Sequence, residues 1–318
     1  MADPKERFGL ALGGLGGFNL HGAGVLAAVK EKGRVPALVT ATSGQILVLA
    51  AWIEGRDARD FLLRPDAPSS TAWTALLGME GVFAPAPGAS LSGALSAIAE
   101  DPSLLRDPFA LASNALPARR YVPTIRQEVF EQAAKTLAEA PFGVAFPVFD
   151  DAVGEELLCA NARASALLPE RSKTIGIDPE TIRSGLWLES YGHADAPSGR
   201  IDGAYSRCVL AYELRGCDEA LIASPLPTSW GPAPPRTRAD AANWSLRLPF
   251  ANSVRADLRR LQGDLDLAAA GLLRDPSLRL KRFSVCAPDR THGLFEWFPE
   301  KEEVWEGAKA KAETLLAA

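Results

Sequence analysis

The sequence predicts an α/β fold, and three observations lead to that class. Short apolar runs alternate with helical patterns along the 318 residues, as in sheets of parallel strands covered by helices. The N-terminal part has the order strand, loop, helix, strand, helix, which forms a βαβα unit with two neighbouring parallel strands. No internal repeat and no charged linker divides the chain, so we expect one domain over residues 1–318.

The elements of the first unit follow from their periodicity. The apolar run 8–12 is typical of a buried parallel strand, and the glycine-rich stretch 13–19 after it indicates a loop. Helical periodicity with a basic last turn predicts a helix over 22–32, closed by Gly33. A second apolar strand follows at 37–41, and a helix follows at 44–53. The loops after both strands should therefore open at the same carboxyl edge of the sheet.

The remaining elements are predicted more coarsely. The stretch 64–120 is rich in Pro, Ala and Ser, and it lies in a cap-like insertion over about 64–140. A strand pair is expected at 143–150 and 156–160, with Pro147 favouring an edge position for the first strand. A C-terminal extension of helices and a strand is expected over about 245–318. The other predicted elements are helices at 124–140, 207–214, 253–261 and 302–316 and strands at 219–224 and 280–286.

Composition restricts the classes of partner. The formal net charge of −5 argues against a nucleic-acid surface. The four cysteines form no CxxC pair and no metal-like cluster, so they read as reduced thiols, and we expect neither metal nor cofactor. The first residues lack a secretory signal pattern, and the longest apolar run, 46–53, is too short for a membrane span. We therefore expect a cytoplasmic protein, with peripheral membrane contact left open.

Ser43 lies where the second strand turns sharply into a helix. Such a corner exposes the hydroxyl and places it beside the unpaired N–H groups of a helix N-terminus. A serine there can attack an acyl carbon, with the glycine loop supplying further N–H donors. Asp202, in an Asp-Gly-Ala turn after a predicted strand, could serve as the base. Taken singly, Ser43 could equally be a helix N-cap, and the Asp-Gly turn a hairpin.

Four motifs in this order resemble the patatin-like phospholipases and acyl hydrolases: GGLGGFN at 13–19, GVLAAVKEKG at 24–33, ATSGQ at 41–45 and DGA at 202–204. The resemblance implies a three-layer αβα sandwich with a mainly parallel sheet. It also implies hydrolysis of lipid acyl esters, of the phospholipase A, lysophospholipase or esterase type, by a Ser43–Asp202 dyad. Its oxyanion donors would be Gly14, Gly16 and Gly17, together with Gly44 at the start of the helix.

Departures from the family pattern define the alternative function. Gln45 and Asn19 stand where the family usually has glycine, and Phe18 stands where it usually has Arg or Lys. Ala41 replaces the first glycine of the serine motif, at a position that accepts a small residue. The alternative is a weak or inactive relative that binds lipid or a partner.

Other motifs in the sequence suggest alternative interpretations. Gly22-x-Gly24-x-x-Ala27 matches a dinucleotide fingerprint, but it falls inside a predicted helix. A triad through His292 is conceivable, although that histidine lies in a polar stretch. Ser90 in GASLS lacks a preceding strand. Apolar residues over 73–83 would be core, or would receive acyl chains if they cover the site.

Overall fold

The computed structural model describes residues 6–15, 18–63, 83–85, 95–96, 98–106, 121–123, 126–169, 172–188, 196–229, 234–273, 275–289 and 301–317. The strands are β1 Phe8–Leu12, β2 Pro36–Ala41, β3 Phe83–Pro85, β4 Tyr121–Pro123, β5 Gly143–Asp150, β6 Glu155–Ala160, β7 Thr174–Ile175, β8 Arg200–Asp202, β9 Glu219–Ala223 and β10 Arg282–Cys286. The α-helices are α1 Asn19–Glu31, α2 Gln45–Ile53, α3 Arg59–Leu62, α4 Gln127–Ala138, α5 Ala162–Ser165, α6 Pro179–Ser184, α7 Arg238–Ala269 and α8 Glu302–Ala317. Short 3₁₀ helices span 102–106, 197–199, 203–205 and 212–216.

Apart from the separate antiparallel pair of β3 and β4, the described strands form one main sheet that is parallel over most of its width. Its order is β10-β9-β1-β2-β5-β6-β7, and the first five strands run parallel. An antiparallel part begins at β5, which pairs with both β6 and β8. The carboxyl ends of β1 and β2 therefore lie side by side at one edge, as the βαβα pattern predicts.

Helices cover both faces of this sheet because alternate strand residues point to opposite sides. One face carries Leu10, Val39 and Phe146, which pack against α1, α2, α4, α6 and α8. The other face carries Ala11, Leu38 and related side chains, which pack against α5, α7 and the 212–216 turn. The predicted three-layer αβα fold with a mainly parallel sheet is thus confirmed.

Two predicted elements are wrong. Pro147 does not place β5 at an edge, because β2 pairs with residues 143–145 and β8 pairs with residues 148–150. The proline, which lacks an N–H, falls in the gap between those two partners. The helix predicted at 207–214 is also absent, and an irregular segment leads instead into the 3₁₀ turn at 212–216. The backbone groups of residues 208 and 210–212 bond instead to side chains of distant elements.

The other elements are found close to their predicted bounds where the structure describes them. The helix predicted at 253–261 is the middle of the longer α7, which begins at a Thr237–Asp240 capping box and contains Pro249. The predicted insertion over 64–140 falls largely outside the described residues, as do Trp73, Ser90 and their neighbours.

Candidate active site

Ser43 occupies the sharp turn between β2 and α2. Its φ is +52°, in the left-handed region that non-glycine residues rarely adopt. The turn is closed by neighbouring backbone groups, since the N–H of Gln45 donates to the Thr42 carbonyl and that of Ile46 to the Ser43 carbonyl. The side chain is only 6% exposed. Local strain of this kind is typical of functional turns and matches the elbow geometry expected from the sequence.

Asp202 reaches the same edge of the sheet through β8. In the antiparallel pairing of β8 with β5, Asp202 lies opposite Val148. β2 pairs with the same strand as far as Thr40, which is opposite Ala145 and three residues before Ser43. The two predicted dyad residues lie side by side at this edge, and the Ser43 side chain is close enough to the Asp202 carboxyl to lower its pKa. The close approach requires Gly203, because a Cβ there would overlap Pro147 of β5.

The environment of Asp202 changes its acidity. The residue is 1% exposed, and burial raises the pKa of its carboxyl from 3.8 to about 7. The Ser43 side chain and the Ala204 N–H, which donates to Asp202 Oδ1 at 2.9 Å, lower the pKa but do not offset the burial. Its own backbone N–H donates to the Trp187 carbonyl at 2.9 Å, which fixes the residue in place. A buried carboxyl that titrates near neutrality can exchange a proton with the hydroxyl beside it.

Thr42, the residue before Ser43, connects three chain segments of the site: the glycine loop at Gly14, the Ser43 turn and the segment at Cys208. Its Oγ1 accepts the Gly14 N–H at 2.6 Å and donates to the Cys208 carbonyl at 2.7 Å. Gly14 is so close that a Cβ there would lie 2.8 Å from Ser43 Cβ. Gly14 therefore lies against the Ser43 turn, but its N–H, predicted as an oxyanion donor, is already bonded to Thr42 Oγ1.

The other predicted oxyanion donors are Gly44, Gly16 and Gly17. Gly44 is the N-cap of α2 and directly follows Ser43, which is the position of an oxyanion donor in elbow enzymes. Within the part of the chain that the structure describes, its N–H has no hydrogen-bond acceptor. Gly16 and Gly17 lie outside the described residues.

The departures from the family pattern are all accommodated. Gln45 is fully buried, and its side chain lies on Gly22 of α1. Asn19 starts α1, and its side chain lies on Gly44. Phe18 is buried in the core and stacks on His21, with ring centroids 5.4 Å apart.

Arg207, five residues after Asp202, forms a network of ion pairs that the sequence did not indicate. Its guanidinium is bonded to Glu156 and Glu213, each at 2.6 Å, and to Asp257 at 3.1 Å. Burial raises the pKa of the Glu213 carboxyl, and the charge of Arg207 opposes that shift. No local pattern relates these four positions, since Glu156 and Asp257 are about fifty residues away on either side.

The alternative motifs have structural places of their own. Gly24 lies against α8, at the Trp305 carbonyl and the Ala308 side chain, so the glycines of the dinucleotide-like motif serve helix packing. His21 is buried in α1, whereas His193 and His292 lie outside the described residues. The triad through His292 therefore stays a prediction.

No protein-family model matches the chain, and no curated protein does. Among solved structures, the chain is similar to VipD from Legionella pneumophila, with a TM-score of 0.36 and 12% identity. It is similar to the type III effector protein ExoU, with a TM-score of 0.36 and 13% identity. Each similarity covers 99% of this chain, which spans 67% of the first protein and 54% of the second. At this TM-score neither similarity bears on the function of this chain.

The described helices include none with the length and apolar character needed to cross a bilayer.

Proposed function

We propose that this protein is a serine acyl hydrolase in which Ser43 is the nucleophile and Asp202 the general base. One observation carries the proposal. A serine held at positive φ on a strand-to-helix turn lies beside a buried carboxyl whose pKa is about 7, close enough to lower that pKa. A serine that only capped a helix would need neither the left-handed backbone nor the buried acid.

The proposed reaction has two halves. Ser43 Oγ attacks the ester carbonyl carbon while its proton passes to Asp202. The carbonyl oxygen of the ester becomes an oxyanion, which the Gly44 N–H holds. We assign the further donors to Gly16 and Gly17. The C–O bond to the alcohol breaks as Asp202 returns the proton to the leaving oxygen. Water then attacks the acyl-serine, Asp202 takes its proton, and the proton returns to Ser43 as the acid is released.

The lipid part of the proposal has different support. The geometry favours acyl transfer, whereas lipid acyl esters as substrates follow from the four motifs that resemble patatin-like enzymes. A phospholipase A, lysophospholipase or esterase preference is part of that proposal. Peripheral contact with a lipid surface would follow from such substrates.

A fluorophosphonate probe, which labels only activated serines, tests the proposal. We expect wild-type protein to be labelled and to hydrolyse a short-chain p-nitrophenyl ester, and Ser43→Ala to do neither. Ser165→Ala, at the end of α5 on the opposite layer, is the matched control and should behave as wild type. The value of kcat/KM should rise with pH around a midpoint of about 7, because the base must be ionised. Equal labelling of wild type and Ser43→Ala, or none of either, would favour the lipid- or partner-binding alternative.

A further inference from the structure

The N-termini of α1 and α2 are joined by two reciprocal contacts between an amide side chain and a glycine. The side chain of Asn19 in α1 lies on Gly44, where a Cβ would be 2.8 Å from Asn19 Cγ. The side chain of Gln45 in α2 lies on Gly22, where a Cβ would be 2.5 Å from Gln45 Cδ. Each glycine thus leaves room for the amide side chain of the other helix.

Gln45 also bonds to the end of the glycine loop. Its Nε2 donates to the Asn19 carbonyl at 3.2 Å and, more weakly, to the Phe18 carbonyl at 3.5 Å. Its Oε1 points to Gly22 and has no hydrogen-bond partner among the described residues. The two Nε2 hydrogen bonds therefore hold residues 18 and 19, at the end of the glycine loop. The Oε1 atom fills space beside Gly22 without a hydrogen bond.

We propose that Gln45 is a positioning residue that fixes the end of the glycine loop against the Ser43 turn, and that Gly22 leaves the space that the Gln45 side chain occupies. The proposal rests on the proposed function, because the same loop supplies oxyanion donors there. Gln45 follows Gly44 directly, so one side chain links the donor beside the nucleophile to the loop across from it. Small displacements of such donors are costly, since oxyanion stabilisation depends on distance and direction.

Gln45→Met separates positioning from packing, because methionine keeps the volume and removes both Nε2 bonds. We expect fluorophosphonate labelling to slow about ten- to a hundredfold. The melting temperature should stay unchanged or rise, because a buried carbonyl without a partner is removed. The midpoint of the pH profile should not move, since Asp202 is untouched. Gln132→Met on exposed α4 is the matched control and should label at the wild-type rate.

Gly22→Ala tests whether the Gln45 side chain needs the space at Gly22. In the wild-type background the new methyl overlaps the Gln45 amide, so we expect a melting temperature several degrees lower and slower labelling. In a Gln45→Ala background the same change should cost little, because the methyl then enters vacated space. An equal loss of melting temperature in both backgrounds would overturn the proposed role of Gly22.

The outcomes separate this proposal from the proposed function. If the wild type labels and Gln45→Met labels at the same rate, the positioning role is overturned while the hydrolase stands. If the wild type does not label at all, the hydrolase fails, and amide exchange at Phe18 decides the positioning role. That N–H donates to the Leu15 carbonyl within the loop at 3.3 Å. Faster exchange at Phe18 in Gln45→Met would support the role, and unchanged exchange would overturn it.

Discussion

The two chain segments that meet at the Ser43–Asp202 pair are built in different ways. The nucleophile segment, residues 36–53, is a buried strand, a turn and a buried helix, and its backbone bonds run to near neighbours or to adjacent strands. The acid segment, residues 200–216, has one three-residue strand and two short 3₁₀ turns. Several of its backbone groups bond to side chains that are distant in sequence.

The contacts of the acid segment show how it holds its shape. Thr40 and Thr42 on β2 donate to the carbonyls of Leu210 and Cys208. The Asp257 carboxylate accepts the N–H groups of Ala211 and Tyr212 at 2.7 and 2.9 Å. Apolar packing therefore holds the nucleophile, whereas a polar network holds the acid. Loss of one member of a buried polar network leaves its partners unpaired, so the acid segment should be the more sensitive of the two.

The largest effect is expected from Arg207→Met. This change leaves the buried carboxylates of Glu213 and Asp257 without their cation, and breaking a buried ion pair in this way typically costs about 3–5 kcal/mol. Urea unfolding measures the loss. Arg56→Met is the control, since its pair with Glu54 is exposed and should contribute at most about 1 kcal/mol. Similar losses for the two variants would refute the contrast between the segments.

Asp202→Asn should change stability in the opposite direction. Native Asp202 keeps its proton up to about pH 7, whereas the unfolded chain releases it near 3.8, so the native state binds more protons between these values. The free energy of unfolding of the wild type therefore falls as pH rises through this window. The asparagine variant lacks this loss, so it should be more stable than wild type above pH 7, by at most about 4 kcal/mol, and about equal near pH 4. Its hydrolysis should be abolished.

Thermal unfolding from pH 4 to pH 8 measures the difference, with Asp218→Asn as a control of opposite sign. The Arg7 backbone N–H and Arg279 lower the pKa of the Asp218 carboxyl, so its contribution is present above the unfolded value and lost in acid. Asp218→Asn should therefore be less stable than wild type at pH 8. A difference between Asp202→Asn and wild type that did not grow with pH would contradict the burial of the Asp202 charge.

The contrast between the segments also explains what the sequence could predict. The order β1, α1, β2, Ser43, α2 follows from periods of two and 3.6 residues, and these periods predict the segment correctly because it consists of regular strands and helices. The three-layer fold follows from the alternation of strands and helices. The pairing of Ser43 with Asp202 came from motif order, since no local period joins a turn at 43 to a turn at 202.

The errors fall where distant parts of the chain supply the bonding partners. The stretch 207–214 has helical periodicity, but Asp257 and the two threonines of β2 take up its backbone groups. Pro147 suggested an edge because its neighbours could not be known; β2 ends before it and β8 begins after it. The fit of Gln45 was equally hidden, since it depends on Gly22 in another helix.

Thr42→Val gives the smallest and most specific effect, because Thr42 belongs to the nucleophile segment and bonds to the acid segment. Valine keeps the shape but leaves the Gly14 N–H and the Cys208 carbonyl without their partner, which should cost about 1–3 kcal/mol of unfolding free energy. Thr42→Ser keeps the hydroxyl and should retain most of the stability. Thr40→Val removes one bond, to Leu210, and should cost about 0.5–1.5 kcal/mol. Urea unfolding of all three, with ester hydrolysis alongside, checks the order. If Thr42→Val were no worse than Thr40→Val in either assay, Thr42 would not be the connection between the two segments.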